Sequence, residues 1–130
     1  MRYSLDFVIP AGTTKAAPHT EIMYLTVGLL NKILVRFRAG CHNMVSIAVL
    51  DGLHQILPAS QDLAIYGDSV TFDIPMKHYM STKPYSVTLI GWSPLCLYDH
   101  IITFWFDLAE GETLAKQEFA EMMAHLGSKP

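Results

Sequence analysis

The feature that most constrains this chain is an alternation of apolar and polar residues with a period of two, repeated in about eight short segments before residue 109. This period places successive side chains on opposite faces of a β-strand. Turn-forming Gly, Pro and Asp residues separate the segments, and no helical pattern lies between them. The pattern predicts inward side chains such as Val35 and Val49, a connection at 28–31, a hairpin between 63–66 and 69–74, and a strand that ends at Pro75. The sequence therefore predicts an all-β, antiparallel β-sandwich and excludes a parallel α/β fold, whose crossovers require helices.

The segment 101–108 departs from this alternation because both of its faces are largely apolar. A strand with two apolar faces needs cover on each side, and one sandwich supplies only one of them. An outward Trp105 beside Ile101 is typical of an anchor residue in a subunit interface, so we predict that these two side chains contact another copy. The inward face is predicted to consist of Ile102, Phe104, Phe106 and Leu108.

From Glu112 onward the apolar period changes to 3.6, which predicts an amphipathic helix at the end of the chain. We therefore divide the chain into a sandwich domain, 1–109, and a C-terminal helix and tail, 110–130. The apolar stripe must pack either on its own sandwich or on a neighbouring copy, and the sequence leaves both arrangements open. The stripe consists of Ala115, Phe119, Met122, Met123 and Leu126, and the last four are predicted interface residues.

Charge is sparse, since fifteen of the first 108 residues are Lys, Arg, Asp or Glu, about 14% against the usual ~25%. A surface with few charges is often covered by other subunits, which predicts a homo-oligomer. The alternative is a surface kept wet by Ser, Thr, Tyr and His. The net charge of −3 without a basic block argues against sequence-independent binding to nucleic acid.

Chemistry-bearing residues are present but not in motifs that support catalysis. The six histidines show neither a His-x-His pair nor a His-Glu-x-x-His motif, so no metal site is predicted. Cys41 and His42 are adjacent in sequence, whereas a nucleophile and its base must meet across a site. Asp6 and Asp73 occupy outward strand positions, and Asp68 lies in a turn. The sequence predicts no catalytic residue and no cofactor.

The location of the protein is predicted from what its sequence lacks. The first ten residues have the pattern of a strand rather than of a signal peptide, so the two cysteines are expected to be free thiols. No apolar run approaches the ~20 residues of a membrane span. We therefore expect a cytoplasmic protein that does not contact membranes.

The order of short strands resembles that of the small single jelly-roll proteins of tailed and icosahedral viruses. The resemblance covers 3–108 and lies in the segments 35–40, 51–58 and 84–91, followed by 98–100. It implies a jelly-roll fold and a phage-like virion or particle component: a capsid-decorating, capsid-building or fibre-base subunit that assembles as trimers or pentamers, alone or with other particle proteins. The short chain favours a decoration or accessory subunit.

The leading hypothesis is thus a non-enzymatic, self-assembling structural protein. The first alternative is a carbohydrate- or small-ligand-binding module that uses loop aromatic residues near Trp92 and Tyr98, because flat aromatic rings suit sugar faces. The second alternative is a cupin-like, metal-dependent enzyme, in which scattered histidines would converge in space.

Overall fold

A computed structural model describes residues 2–58, 60, 63–80 and 83–110, and these form two antiparallel β-sheets with nine strands and no helix. The prediction of an all-β sandwich is confirmed. The predicted helix, and the stripe residues Phe119, Met122, Met123 and Leu126, lie outside the described residues. The strands are β1 (Arg2–Ile9), β2 (His19–Tyr24), β3 (Gly28–Phe37), β4 (Ser46–Asp51), β5 (His54–Leu57), β6 (Ile65–Tyr66), β7 (Val70–Met80), β8 (Ser86–Trp92) and β9 (His100–Glu110).

The strand pairs are nested within one another along the chain. The first sheet has the order β1-β9-β3-β7, and the second has the order β2-β8-β4-β5 with the two-residue β6 also paired to β4. With β6 set aside, the first strand pairs with the last, the second with the last but one, and so on inward to the β4–β5 hairpin. The chain thus forms one long antiparallel ribbon whose pairs alternate between the two sheets.

The hydrophobic core lies between the sheets and is filled by the inward side chains that the alternation predicts. Phe7, Phe104 and Phe106 are fully buried, and the rings of the last two stack with centroids 6.0 Å apart. Gly91 lies opposite this cluster on β8, where an added Cβ would approach the Ile9 side chain to 2.5 Å. A glycine at this position therefore lets the two sheets come together over the bulk of β1.

Two connections predicted from the sequence are strand in the structure. The segment 28–31 is predicted to be a connection, but β3 begins at Gly28 and includes it. The register of β3 with both neighbouring strands shifts between Leu30 and Lys32. This β-bulge inserts an extra residue and interrupts the period of two, so Leu29 and Leu30 are both buried. The interrupted period explains why the pattern did not predict a strand there.

The strand β7 was expected to end at Pro75, and it continues to Met80. Proline cannot donate a hydrogen bond to a sheet, but β7 is an edge strand that pairs only with β3. Proline is therefore tolerated at this position, and the exposed Pro75 remains paired in register with Lys32 of β3.

The predicted hairpin between residues 63–66 and 69–74 does not form. Tyr66 and Ile65 pair with β4, whereas the strand that follows pairs with β3 in the other sheet. The reason lies in the turn, where the Asp68 carboxylate accepts hydrogen bonds from the backbone N–H groups of Gly40 and His42 at 3.0 and 2.9 Å. These bonds hold the turn against the β3–β4 loop.

Candidate functional site

The outer face of the β1-β9-β3-β7 sheet is covered by paired charges. Arg2 donates two hydrogen bonds to the Asp107 carboxylate, at 2.6 Å from Nε and 2.9 Å from Nη2. Lys32 Nζ lies 3.3 Å from Asp73 Oδ2 on the neighbouring strand. We call this surface the charged face; its outward charged residues are Arg2, Asp6, Lys32, Arg36, Arg38, Asp73, Lys77 and Asp107.

A second polar network crosses β9 on the same face. Thr103 donates to Asp6 Oδ1 at 2.7 Å, and Arg38 Nη2 lies 3.5 Å from the Thr103 hydroxyl and 3.8 Å from the same carboxylate oxygen. Arg36 lies beside this network, and among the described residues no carboxylate is within ion-pair distance of it. One guanidinium on the charged face therefore remains without a partner there.

The predicted interface residues Ile101 and Trp105 lie on the charged face and are both half-buried. Trp105 pairs with Ser4 on one side and with Leu34 on the other, so an apolar centre lies inside the ring of charges. Trp105 and Arg36 also line an open groove of about 410 Å³. Whether this face contacts another copy stays a prediction.

The Arg2–Asp107 pair has an electrostatic consequence. The guanidinium donates hydrogen bonds to the carboxylate and attracts its charge, so the pKa of Asp107 is lowered from its usual value and that of Arg2 is raised. The pair is thus ionised at neutral pH.

The outer face of the second sheet has a different character, and we call it the uncharged face. It consists of the outward side chains of β2, β8 and β4 together with Tyr66 of β6, and none of these residues is Asp, Glu, Lys, Arg or His. Large apolar side chains are well exposed on it: Ile22 at 52%, Tyr24 at 69% and Tyr66 at 58%. Its members are Thr20, Ile22, Tyr24, Ser46, Ala48, Leu50, Tyr66, Ser86, Thr88, Ile90 and Trp92.

The register joins the residues of the uncharged face into continuous rows across the strands. Thr20, Ile90 and Ala48 are aligned, and the next row contains Ile22, Thr88 and Leu50. Because neighbouring strands lie about 4.8 Å apart, the side chains of one row touch. The sequence interpretation missed this surface, since its rows exist only once the neighbours of each strand are known.

A third apolar surface lies in the loop between β8 and β9. The side chains of Leu95, Leu97 and Tyr98 are exposed at 76%, 85% and 75%. They border an open groove of about 400 Å³ that His42 and His100 also line. The arrangement offers apolar contact together with two imidazoles and a phenol, a combination that suits a small ligand with a hydrogen-bonding group.

Below this groove the structure brings together a cysteine and a histidine that are distant in sequence. Cys41 Sγ lies 3.8 Å from His100 Nδ1. The sulfur side chain is fully buried, and burial raises the pKa of the Cys41 thiol. A neutral, inaccessible thiol is a poor nucleophile, so the geometry favours a packing role for this pair.

Three further ionisable residues, His78, Asp51 and His19, are engaged in structural contacts. His78 Nε2 lies 2.7 Å from Asp51 Oδ2 and links the two sheets, and the ring of His19 stacks on Phe7 with centroids 5.3 Å apart. Among the described residues, no three His, Cys, Asp or Glu side chains are grouped closely enough to hold a metal ion. The same part of the chain contains no helix long and apolar enough to cross a bilayer.

The aromatic residues considered as a sugar-binding platform lie apart. Trp92 belongs to the uncharged face, where Lys15 Nζ is 5.6 Å from its ring centroid, whereas Tyr98 borders the loop groove. Tyr79 lines a different groove near Lys83, and Tyr85 packs against the core. A single aromatic platform is therefore not formed by these side chains.

Comparison with known proteins identifies no family. No family model and no curated protein matches the chain. Among solved structures it is similar to a Bacillus endospore appendage of a family of disulfide-linked pili, at 11% identity and a TM-score of 0.35 over 84% of this chain and 88% of that one. It is also similar to a Yersinia pseudotuberculosis-derived mitogen, at 9% identity and a TM-score of 0.37 over 85% and 87%.

A third similar structure is a family two carbohydrate esterase from Cellvibrio japonicus, at 11% identity and a TM-score of 0.40. The match covers 85% of this chain and 35% of that one.

Proposed function

We propose that this protein is a non-enzymatic structural protein with a jelly-roll fold, which assembles from identical subunits as a decoration or accessory component of a phage-like particle. The nested pairing of β1 with β9, β2 with β8, β3 with β7 and β4 with β5 supports the jelly roll, in which a long ribbon of strand pairs wraps into two facing sheets. The particle role rests on the resemblance of the strand order to small viral jelly-roll proteins, which is an analogy of fold.

The observation that supports assembly most directly is the uncharged face. Water solvates charged side chains well. A sheet face whose strands contribute none of them, and on which Ile22 and Tyr24 are exposed, is less favourable in contact with water than when it is covered. We propose that a second copy of this chain covers it. An uncharged face needs a partner that leaves no charge unpaired. The contacts around a closed trimer or pentamer are heterologous, so there each neighbour would cover it with a different apolar surface of the same chain.

The solution mass of the full chain tests this proposal. We expect light scattering to give the mass of a trimer or pentamer for the wild type and that of a monomer for Ile22→Lys, because a buried lysine without a partner is strongly unfavourable. The matched control is Ser4→Lys on the charged face, which should keep the oligomer. A wild-type monomer, or equal dissociation of both variants, would contradict the proposal.

The loop groove favours a second candidate function, the binding of a carbohydrate or another small ligand. Its exposed Tyr98 beside His42 and His100 combines a flat ring with hydrogen-bonding groups. Titration with neutral mono- and oligosaccharides, followed by amide chemical shifts, should then perturb residues 97–100. The perturbation should disappear in Tyr98→Ala, and a lack of any shift with the wild type would exclude this candidate for the sugars used.

A further inference from the structure

An open groove crosses the charged face where β3 ends and β7 begins. Its volume of about 410 Å³ lies within the ~300–1,000 Å³ that is typical of small-ligand sites. Because β3 lies between β7 and β9 in the first sheet, all three strands or their ends contribute side chains to it. We call it the arginine groove; its polar and aromatic lining residues are Arg36, Arg38, Ser69, Thr71 and Trp105.

The arginine groove contains a guanidinium that has no carboxylate partner in the described part of the chain. Arg36 is exposed, and no described carboxylate lies within ion-pair distance of it. It pairs in register with Thr71 on β7 and with Thr103 on β9, so its cross-strand neighbours carry hydroxyl groups and no charge. A guanidinium presents its N–H donors as a planar fork, which fits a carboxylate through two parallel hydrogen bonds. These donors can therefore bind an external anion.

The charge of the groove fits a ligand with a single negative charge. The second guanidinium, that of Arg38, lies 3.8 Å from Asp6 Oδ1 and 3.5 Å from the Thr103 hydroxyl, which donates to the same carboxylate oxygen. Asp6 thus offsets the charge of Arg38, and the charge of Arg36 is left in excess. One carboxylate balances this excess, whereas a phosphate monoester or the phosphates of a nucleic acid would bring more negative charge than the groove offsets.

An indole and two hydroxyl groups lie beside the guanidinium groups. Trp105 pairs in register with Leu34, two residues before Arg36, so the indole and the Arg36 side chain are diagonal neighbours. Long side chains reach one another across such a diagonal. Ser69 and Thr71 are exposed and supply hydroxyl groups that can donate and accept hydrogen bonds. A flat ring next to hydroxyl groups suits a sugar, whose C–H face packs on an aromatic ring.

The end of the groove beside Ser69 is held in place by backbone interactions. Ser69 has a φ of 51°, in the left-handed region that residues other than glycine seldom adopt, and its N–H donates to the Arg38 carbonyl oxygen at 3.4 Å. The preceding Asp68 carboxylate accepts hydrogen bonds from the N–H groups of Gly40 and His42 at 3.0 and 2.9 Å. These bonds fix Ser69 relative to the end of β3. A wall that is fixed before binding lowers the entropic cost of holding a ligand.

We propose that the arginine groove binds an acidic sugar, a uronic-acid unit that carries one carboxylate. The carboxylate accepts hydrogen bonds from Arg36, the face of the sugar ring packs on Trp105, and the sugar hydroxyl groups bond to Ser69 and Thr71. The groove does not lie on the uncharged face, so this inference does not depend on assembly through that face. It also shares no lining residue with the loop groove between β8 and β9.

Titration of the full chain with sodium glucuronate tests the proposal. We expect saturable amide chemical-shift changes at residues 36–38, 69–71 and 105, and a change in Trp105 fluorescence in a Trp92→Phe background. Glucose, which lacks the carboxylate, should bind about tenfold more weakly, because the charge-assisted hydrogen bonds are lost. Acetate and inorganic phosphate, which lack a sugar ring, should bind more weakly than glucuronate. No saturable shift with glucuronate, or equal affinity for the two simple anions, would overturn the proposal.

The variant Arg36→Gln identifies the guanidinium that binds the carboxylate. It should weaken glucuronate binding about tenfold and leave glucose binding unchanged. The matched control is Lys32→Gln, which removes the same charge from the same strand about 13 Å away, at 3.3 Å per residue, and should change the affinity by less than about twofold. Equal weakening by the two variants would show a diffuse effect of net charge and would contradict the proposal. Urea midpoints check that both variants are folded.

Discussion

The two outer faces of this sandwich are built from the same strand pattern but differ in how they meet water. On the charged face, Arg2 with Asp107 and Lys32 with Asp73 form ion pairs at the rim of the sheet. On the uncharged face, rows of Thr, Ile, Ser and Tyr end in the exposed Ile22 and Tyr24. The sparse charge of the chain is thus not spread evenly.

The comparison shows that low overall charge does not indicate which surface is left apolar. Trp105 is the largest outward residue of β9 and is half-buried, and charged residues occupy outward positions near it on the neighbouring strands β1 and β3. Arginine and lysine stems cover apolar area while their charged ends stay in water. The smaller residues of the uncharged face have no such neighbours on their strands, so that surface is the stronger candidate for contact between copies.

The largest difference between the faces should appear when a charge is added to each. Ala48→Glu, at a position of the uncharged face that is 1% exposed, should lower the free energy of unfolding by about 3 kcal/mol, because the carboxylate is buried without a partner. Thr71→Glu, exposed on the charged face opposite Arg36, should change it by less than about 0.5 kcal/mol. Urea denaturation measures the free energy of unfolding of both variants. A similar loss in the two variants would show that the two faces do not differ in their tolerance of an added charge.

A smaller effect is expected from shortening one exposed side chain on each face. Tyr24→Ala should weaken self-association about tenfold, since large aromatic residues contribute much of the binding energy in protein interfaces. Val8→Ala, at the edge of the charged face and 42% exposed, should change it by less than about twofold. Sedimentation equilibrium gives both constants, and a larger effect at Val8 would reverse the assignment of the faces.

The acid sensitivity of the fold should come from the charged face and from the turn at Asp68. The pKa values of Asp107 and Asp68 are lowered in the folded protein, the first by Arg2 and the second by the backbone N–H of His42. Each group therefore stabilises the fold above its unfolded pKa, near ~3.9, and this contribution is lost as the pH falls through the folded pKa.

The variant Asp107→Asn isolates the contribution of the charged face. It should be less stable than the wild type at pH 7 and approach the wild type as the pH falls to about 2, because the wild-type carboxyl is then protonated as well. Urea midpoints at several pH values measure the difference. A deficit that stays constant with pH would show that the ion pair is not its cause.

The smallest effect should be that of salt on association. At 1 M NaCl the Debye length is about 3 Å, so exposed ion pairs such as Lys32–Asp73 are screened. A contact through the uncharged face contains no such pair, and its association constant should change by less than about twofold. Light scattering at low and high salt measures this, and strong dissociation at high salt would place the contact on charged residues instead.

Much of the sandwich could be predicted, because the alternation of apolar and polar residues within a single strand indicates which of its own side chains are buried. Val35, Val49 and Phe104 were expected in the core from their own segments, and all three are fully buried. The alternation did not predict the strand at the bulge between Leu30 and Lys32, where an extra residue interrupts the period of two. It also failed at Pro75, whose place in a strand depends on β7 lying at the edge of a sheet.

The candidate surfaces were less predictable, because each is made by several strands. The outward position of Trp105 follows from its own strand, but its neighbours Ser4 and Leu34 belong to other strands. The approach of Cys41 to His100 joins residues 59 positions apart. No local pattern contains the information that these groups are neighbours.

The amino-acid order by itself determined the sheet character of the chain and the inward side chains of most strands, because a period of two acts within a few residues. Tertiary structure alone decided which strands lie side by side, and hence that one outer face gathers the ion pairs while the other gathers none. Whether charged side chains surround a surface depends on which strands are neighbours. The nested pairing, which begins with β1 and β9 and ends with β4 and β5, decides which strands these are.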